Sequence, residues 1–347
     1  MSGGVDSSVA AGLLIEQGHE VVGATLKLWG GVSDSGCCSV GDVDDARRVA
    51  QILGVDHHVF NYAEEFERHV VTPFVEGHAA GQSPNPCIEC NRRIKFDLLF
   101  ERASRLGFEA VATGHHAQVL ARDGRHYLVR GADALKDQSY VLGYLREAQL
   151  ASLQLPIGAM QKSEVRAHAQ RLGLRTWDKP DSQDVCFIEA SKGREAFLRQ
   201  RLALTPAKIV ERATGEVVGT TEAAELMTVG QRRGVAPGRD GERRYVASVD
   251  LAAQRVEVGS LAEVMVGTIG LDGASLTFAH DALVDGTVVL AQWSAHGTAL
   301  AATLRLGDQW WLELHEPARP VAPGQSVVLY RFDEPAVVEG AAVVAAP

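Results

Sequence analysis

The chain has 347 residues, 46% of them hydrophobic and 22% charged, enough for about two to three domains of an ordinary globular protein. No run approaches the roughly 18 apolar residues of a membrane span, no signal or transit peptide precedes the first motif, and the odd count of five cysteines argues for thiols in a reducing cytoplasm over a disulfide framework. The net charge of −10 excludes a uniformly basic nucleic-acid binder, but residues 193–262 carry 11 basic and 9 acidic side chains, net +2, between flanks of −5 and −7. Charges are screened over about 8–10 Å, so a local basic field suffices for a polyanion.

The chain opens on Ser2-Gly3-Gly4-Val5-Asp6-Ser7-Ser8. Two glycines admit close backbone approach to an anion, and the apolar run from Val9 to Leu14 predicts the helix whose first N–H groups would face it. The loop lacks the lysine of the common phosphate loop, which serves terminal phosphoryl transfer. It suits an ATP whose pyrophosphate is held while the α-phosphate is attacked, that is, adenylation. An apolar run follows from Glu20 to Leu28, then a helix over 43–53, a strand over 57–62, helices over 64–78 and 91–106, and a strand over 109–113. This alternation predicts an α/β fold, an open parallel sheet with helices on both faces. Asp123-Gly124 between alternating runs predicts a hairpin, and Ser163 an N-cap for a helix to Leu172. The pattern changes near residue 193. Short strands punctuated by glycines fill 205–262, and runs over 287–293, 299–306, 310–314 and 326–331 predict a C-terminal antiparallel barrel. The expected domains are 1–192, 193–262 and 263–347.

A second constellation is Ser83-Pro84-Asn85-Pro86-Cys87-Ile88-Glu89-Cys90, followed by Asn91-Arg92-Arg93-Ile94-Lys95-Phe96. Two prolines set an extended loop, which places Cys90 at the N-terminus of the following helix beside three cations. Both features favour thiolate, so Cys90 is a candidate reactive cysteine. A C-x-x-C zinc knuckle is the competing reading, but it wants a second pair that Cys37-Cys38 cannot supply. Cys186, beside Val185 and Phe187, reads alone as a small buried residue. Thr113-Gly114-His115-His116 closes a strand, and ligands of open α/β sheets bind beyond strand carboxyl ends, so this loop, with His115 as its candidate functional residue, should face the crevice of residues 2–8.

With S-G-G-x-D-S, P-N-P-x-x-x-C-N, A-T-G-H, K-D-Q-S-Y, S-Q-D-x-C-F and T-V-G-Q-R all present, the chain resembles the bacterial tRNA-specific 2-thiouridylases, pyrophosphate-loop ATP enzymes, over essentially its whole length. The resemblance implies a catalytic pyrophosphate-loop domain, a small central tRNA-binding domain and a C-terminal β-barrel. It implies ATP with Mg²⁺, the nucleotide held by Ser2, Gly3, Gly4, Val5, Asp6, Ser7 and Ser8, with Leu26 and Gly114 near the adenosine. It makes Cys186 the persulfide carrier, loaded by a cysteine desulfurase or sulfur-relay protein, and Cys90 its catalytic partner. Asn85, Pro86, Cys87, His115, Lys136, Asp137, Gln138 and Gln325 match tRNA-contact positions. A cytoplasmic monomer is expected.

Three departures from the family pattern stand out. Met1 already lies inside the first motif, so the sheet strand that should precede it is expected to be missing. Cys87 stands where many members carry Asp, and the acidic C-terminal segment lacks a basic R-Y-R-type strand. The Cys87 change opens a second mechanism, in which Cys87, Cys90 and Cys186 ligate a 4Fe–4S cluster whose open iron holds the sulfur. An amidating pyrophosphate-loop ligase and a non-catalytic tRNA-binding module are the competing functions; neither needs paired cysteines.

Overall fold

The computed structural model describes residues 1–29, 40–181, 185–189, 191–238 and 241–346; Cys37, Cys38 and residues 182–184 lie outside them. In the first half, strands β1 (Gly23–Lys27) and β2 (His57–Asn61) pair in parallel, and a second parallel pair joins β3 (Val111–Ala112) to a strand at Leu153–Gln154. Met1 runs beside β1: its ammonium donates to the Ala24 carbonyl, and the Thr25 hydroxyl donates to the Met1 carbonyl at 2.6 Å. Helix α1 (Val5–Glu16) covers this layer together with α2 (Val40–Leu53) and α3 (Lys162–Arg171). Val5, Val9 and Ala10 of α1 pack with Val49 of α2, Val165 and Ala169 of α3, and Ile157 and Leu174. Burial of each Val or Ile side chain stabilises the layer by about 1.5–3 kcal/mol.

The predicted hairpin forms from β4 (Ala117–Arg122) and β5 (Arg125–Arg130). Asp123 and Gly124 have φ of 53° and 76°, the left-handed pair that matches strand twist in a two-residue turn. The strand at Leu153–Gln154 is β6. Two helix starts differ from expectation. Ser163 is not the cap of α3: Gln161 is, with its N–H donating to Glu164 Oε2 at 2.6 Å, and Asp133 accepts from the Lys162 N–H at 3.0 Å. The helix expected from Asn91 already begins at Pro86 and continues as π-helical turns over Cys90–Leu98.

The chain divides into two compact units. The first comprises Met1–Val71, Pro86–Arg194 and Ala336–Val338; the second comprises Thr72–Asn85, Glu195–Pro335 and Glu339–Pro347. In the second, β7 (Ala207–Glu211), β8 (Val217–Thr221), β9 (Tyr245–Asp250) and β10 (Arg255–Gly259) form a sheet in the order β8-β7-β10-β9, with β7 and β10 parallel. The remaining strands are β11 (Val266–Phe278), β12 (Val288–Gln292), β13 (Leu300–Leu306), β14 (Trp310–Ala318), β15 (Ser326–Arg331) and β16 (Val338–Val344). They close as an antiparallel barrel in the order β11-β14-β13-β12-β15-β16, filled by residues such as Leu304, Leu312, Val327 and Leu329. Among the described residues no helix is long and apolar enough to cross a membrane.

The step from β3 into the following loop fixes the layer against α1. A Cβ on Gly114 would lie 2.5 Å from the Asp6 carbonyl carbon and the Ser7 nitrogen, so only glycine lets these two backbones touch. Gly114→Ala should therefore force the loop off α1 and cost about 1–3 kcal/mol, read as a lower denaturant midpoint with the slope unchanged.

Candidate active site

Gly3 has φ of +71°, and a Cβ there would meet the Asp42 carbonyl oxygen at 2.3 Å. The glycine loop is thus pressed against the first turn of α2. Gly4 is the N-cap of α1 and has no side chain to occupy the helix N–H groups. Around the turn, the Ser2 N–H donates to Ser7 Oγ at 3.0 Å, and the Ser8 hydroxyl donates to the Gly4 carbonyl at 2.7 Å. The result is a preformed helix-terminal anion cradle.

Charged side chains from distant segments converge on this cradle. Both Asp6 carboxylate oxygens accept from Lys162 Nζ at 2.7 Å, and His116 Nε2 lies 3.3 Å from Oδ1. Burial would raise the Asp6 pKa, but the bonds from His116 and Lys162 outweigh it and hold the carboxyl below its ordinary value. Lys162 also pairs with Asp181 at 2.8 Å, and Asp181 accepts from Lys136 at 2.7 Å and Arg166 at 3.3 Å. Burial again opposes ionisation of Asp181, but Lys136 and Lys162 prevail and bring its pKa down to about 2. Two residues earlier, Lys179 donates to the Gly3 carbonyl at 3.0 Å, to Asp42 at 2.7 Å and to Asp45 at 2.8 Å. The short segment 179–181 thereby grips the glycine loop directly through Lys179 and indirectly through Lys162.

The expected nucleotide residues Ser2–Ser8 and Gly114 come together in this structure, and half-buried Leu26 lies on β1. Of the two histidines in this loop, His116 is the one whose ring reaches Asp6. His115 hydrogen-bonds Thr113 at 2.8 Å and lies against the Phe96 ring at 5.9 Å between centroids. Burial, then Lys95 and His116, push its imidazole well below the usual range, so it is neutral at pH 7. Asp137 is engaged internally, accepting from Arg130 at 2.9 Å, Gly131 N–H at 2.9 Å, and the Ser139 N–H and hydroxyl at 3.0 and 2.9 Å. Gln138 bonds reciprocally with the His116 backbone, at 2.9 and 2.8 Å. In the second unit Gln325 donates to the Ser83 carbonyl, and the Ser83 N–H donates to Pro323 at 2.7 Å, which fixes the loop leading to Asn85.

None of Cys87, Cys90 and Cys186 is bridged; Cys87 is exposed, Cys90 buried and Cys186 intermediate. Cys90 sits one turn inside its helix because the helix starts at Pro86, so the expected N-terminal dipole acts on it only weakly. Arg92 and Arg93 pair with Glu89 at 3.8 and 3.7 Å, and Arg92 also lies over the Tyr144 ring. The segments that carry Cys186 and Cys90 both border the short helix at Ala63–Phe66. Phe187 packs edge-on against Phe66 at 5.7 Å, and the helix at Ala63–Phe66 contacts the Cys90–Leu98 helix. Among the described residues no group of three or more His, Cys, Asp or Glu is arranged to hold a metal ion.

Sequence reasoning missed Lys162, Lys179 and Asp181, whose partners lie 134 to 176 residues away or across the α3 start. Lys162 opens a helix and Lys179-Pro180-Asp181 is a polar loop; neither has a local signature of a site.

Comparison with known proteins matches residues 1–190 to the family described as tRNA methyl transferase HUP domain and residues 195–260 to the tRNA methyl transferase PRC-barrel domain. A protein of Saccharopolyspora erythraea named tRNA-specific 2-thiouridylase MnmA is 42% identical over 357 residues, spanning 100% of this chain and 98% of the relative. A Mycobacterium leprae protein of the same name is 45% identical over 344 residues, spanning 96% and 94%. The solved structure of an NMN synthetase from Francisella tularensis aligns at a TM-score of 0.35 and 20% identity, covering 52% of this chain and 64% of that one.

The Asp181 network has a pH signature. Its folded pKa of about 2 lies below the ordinary 3.8, so the folded state binds its proton less readily than the unfolded chain. The stabilisation is full above about pH 4 and disappears as pH falls toward 2. Asp181→Asn should lower the denaturation midpoint at pH 6, with the gap to wild type closing between pH 4 and pH 2.

Proposed function

The chain belongs to the tRNA-specific 2-thiouridylase family and is a tRNA-uridine sulfurtransferase, and we propose that it thiolates the wobble uridine by adenylating the base and delivering sulfur from a cysteine persulfide. The observation that carries the first half is the cradle at residues 2–8, an uncapped helix start bounded by two backbone contacts that tolerate only glycine. ATP would place its pyrophosphate at the α1 N–H groups, with Mg²⁺ entering as part of the nucleotide substrate and Asp6 as the loop's carboxylate. The uridine 2-oxygen attacks the α-phosphorus, the bond to the β-phosphate oxygen breaks, and pyrophosphate leaves. The 2-carbon then carries AMP as a leaving group.

The second half uses the two unbridged thiols whose segments meet around the helix at Ala63–Phe66. The terminal sulfur of a persulfide on Cys186 attacks the 2-carbon and AMP departs with the uridine oxygen. Cys90 thiolate attacks the Cys186 sulfur, the persulfide S–S bond breaks toward the base, and a Cys90–Cys186 disulfide remains for a cellular thiol to reduce. The persulfide itself comes from a desulfurase or relay protein. Cys87, exposed on the first turn of the Pro86 helix, is not needed in this sequence of steps. The tRNA would be met by residues 85–87, Lys136 and the basic 193–262 segment. The internal bonds of Asp137, Gln138 and Gln325 support roles in shaping those loops.

Mass spectrometry of nucleosides from tRNA incubated with the protein, ATP, Mg²⁺ and a sulfur donor should reveal 2-thiouridine. Cys90→Ser and Cys186→Ser should each reduce it below detection while ATP binding stays within twofold. Wild-type thiolation in either variant contradicts the persulfide route; an amidating ligase would be indifferent to both changes.

A further inference from the structure

The glycine loop carries no lysine, yet a buried ammonium stands over it. Lys162 is 11% exposed at its side chain, and its Nζ reaches both oxygens of Asp6 and one of Asp181 within 2.8 Å. Lys179, the other ammonium near the loop, donates to a backbone carbonyl and two α2 carboxylates, so it serves as a pin for the backbone. Lys162 differs in what it holds. Asp6 lies in the first turn of α1, on the end whose N–H groups are uncapped, and it keeps a second partner in His116. The ammonium can therefore exchange the Asp6 carboxylate for phosphate oxygens, one charge-assisted bond for another, without leaving a lone buried carboxylate. Asp181 remains on its other side and keeps it from swinging into solvent.

We propose that Lys162 is the phosphate-contacting cation that the loop itself lacks, binding the β- and γ-phosphates of a nucleoside triphosphate and the pyrophosphate they become. Asp181 positions it, held in turn by Lys136 and Arg166. A point charge on a flexible stem is suited to a leaving group whose negative charge grows as the α-phosphorus is attacked. The inference rests on the ATP-binding reading above and extends it to a residue 156 positions from its loop partner.

The test is calorimetric binding to the full chain with inorganic pyrophosphate, ATP and AMP. Lys162→Met should weaken pyrophosphate and ATP by about tenfold to a hundredfold, the worth of a charge-assisted bond. AMP, which lacks the two outer phosphates, should change less than twofold and so report an intact site, and Lys162→Arg should restore most pyrophosphate affinity. Should Lys162→Met fold poorly, Lys162→Gln is compared with Lys162→Arg by the same readout. Unchanged pyrophosphate affinity on loss of the charge overturns the assignment, as does an equal loss for AMP. A wild-type chain that binds neither ATP nor pyrophosphate overturns the ATP reading itself, whereas wild-type binding with an indifferent Lys162→Met overturns only this inference.

Discussion

Two places where backbone meets backbone set the candidate nucleotide site. Gly3 lies against Asp42 at the start of α2, and Gly114 lies against Asp6 and Ser7 at the start of α1. Each contact exists because a Cβ is absent, and each ties the loop to a different element of the layer. A helix N-terminus binds an anion well only when it does not have to be assembled as the ligand arrives. The close contacts supply that preorganisation without side chains, leaving the N–H groups of α1 open to the ligand.

Charge builds outward from this frame. Asp6, Lys162, Asp181 and Lys136 form a string of alternating sign with steps of 2.7, 2.8 and 2.7 Å. Such a string is sensitive to any added anion, because each ion is a partner of the next and removal of one leaves its neighbour to be repaired. It links the nucleotide loop to Lys136 and to Asp181, five residues before Cys186.

Much of this was legible in the amino-acid sequence, and the rest failed for identifiable reasons. Local signals were read well: the glycine loop before α1, Asp123-Gly124 between β4 and β5, and the barrel strands β12, β13 and β15 with their apolar alternation. Strand β11 was overlooked because Gly267, Gly270 and Gly273 break its pattern; its register also shifts between Val266 and Thr268 and between Asp272 and Thr277. The helix before Cys90 was placed too late because Pro84 and Pro86 read as loop, although proline at a first helical position is favourable. Lys162 and Lys179 were invisible because their pairs with Asp6, Asp42 and Asp45 span more than a hundred residues, and Asp181 because its partners 15 to 45 residues away follow no helical or strand spacing. The position of the loop beyond a strand end points to the crevice, but only the fold distinguishes the His115 ring against Phe96 from the His116 ring against Asp6.

In the proposed reaction the cysteines would complete the chemistry, since adenylation activates an oxygen and a sulfur nucleophile must then replace it. The central claim is that the uridine oxygen leaves on AMP. It is tested most directly with tRNA carrying oxygen-18 at the 2-position of the target uridine, followed by mass spectrometry of the AMP formed in one turnover. The account predicts AMP heavier by one oxygen-18, in step with 2-thiouridine formation. Unlabelled AMP accompanying thiolated tRNA would contradict it.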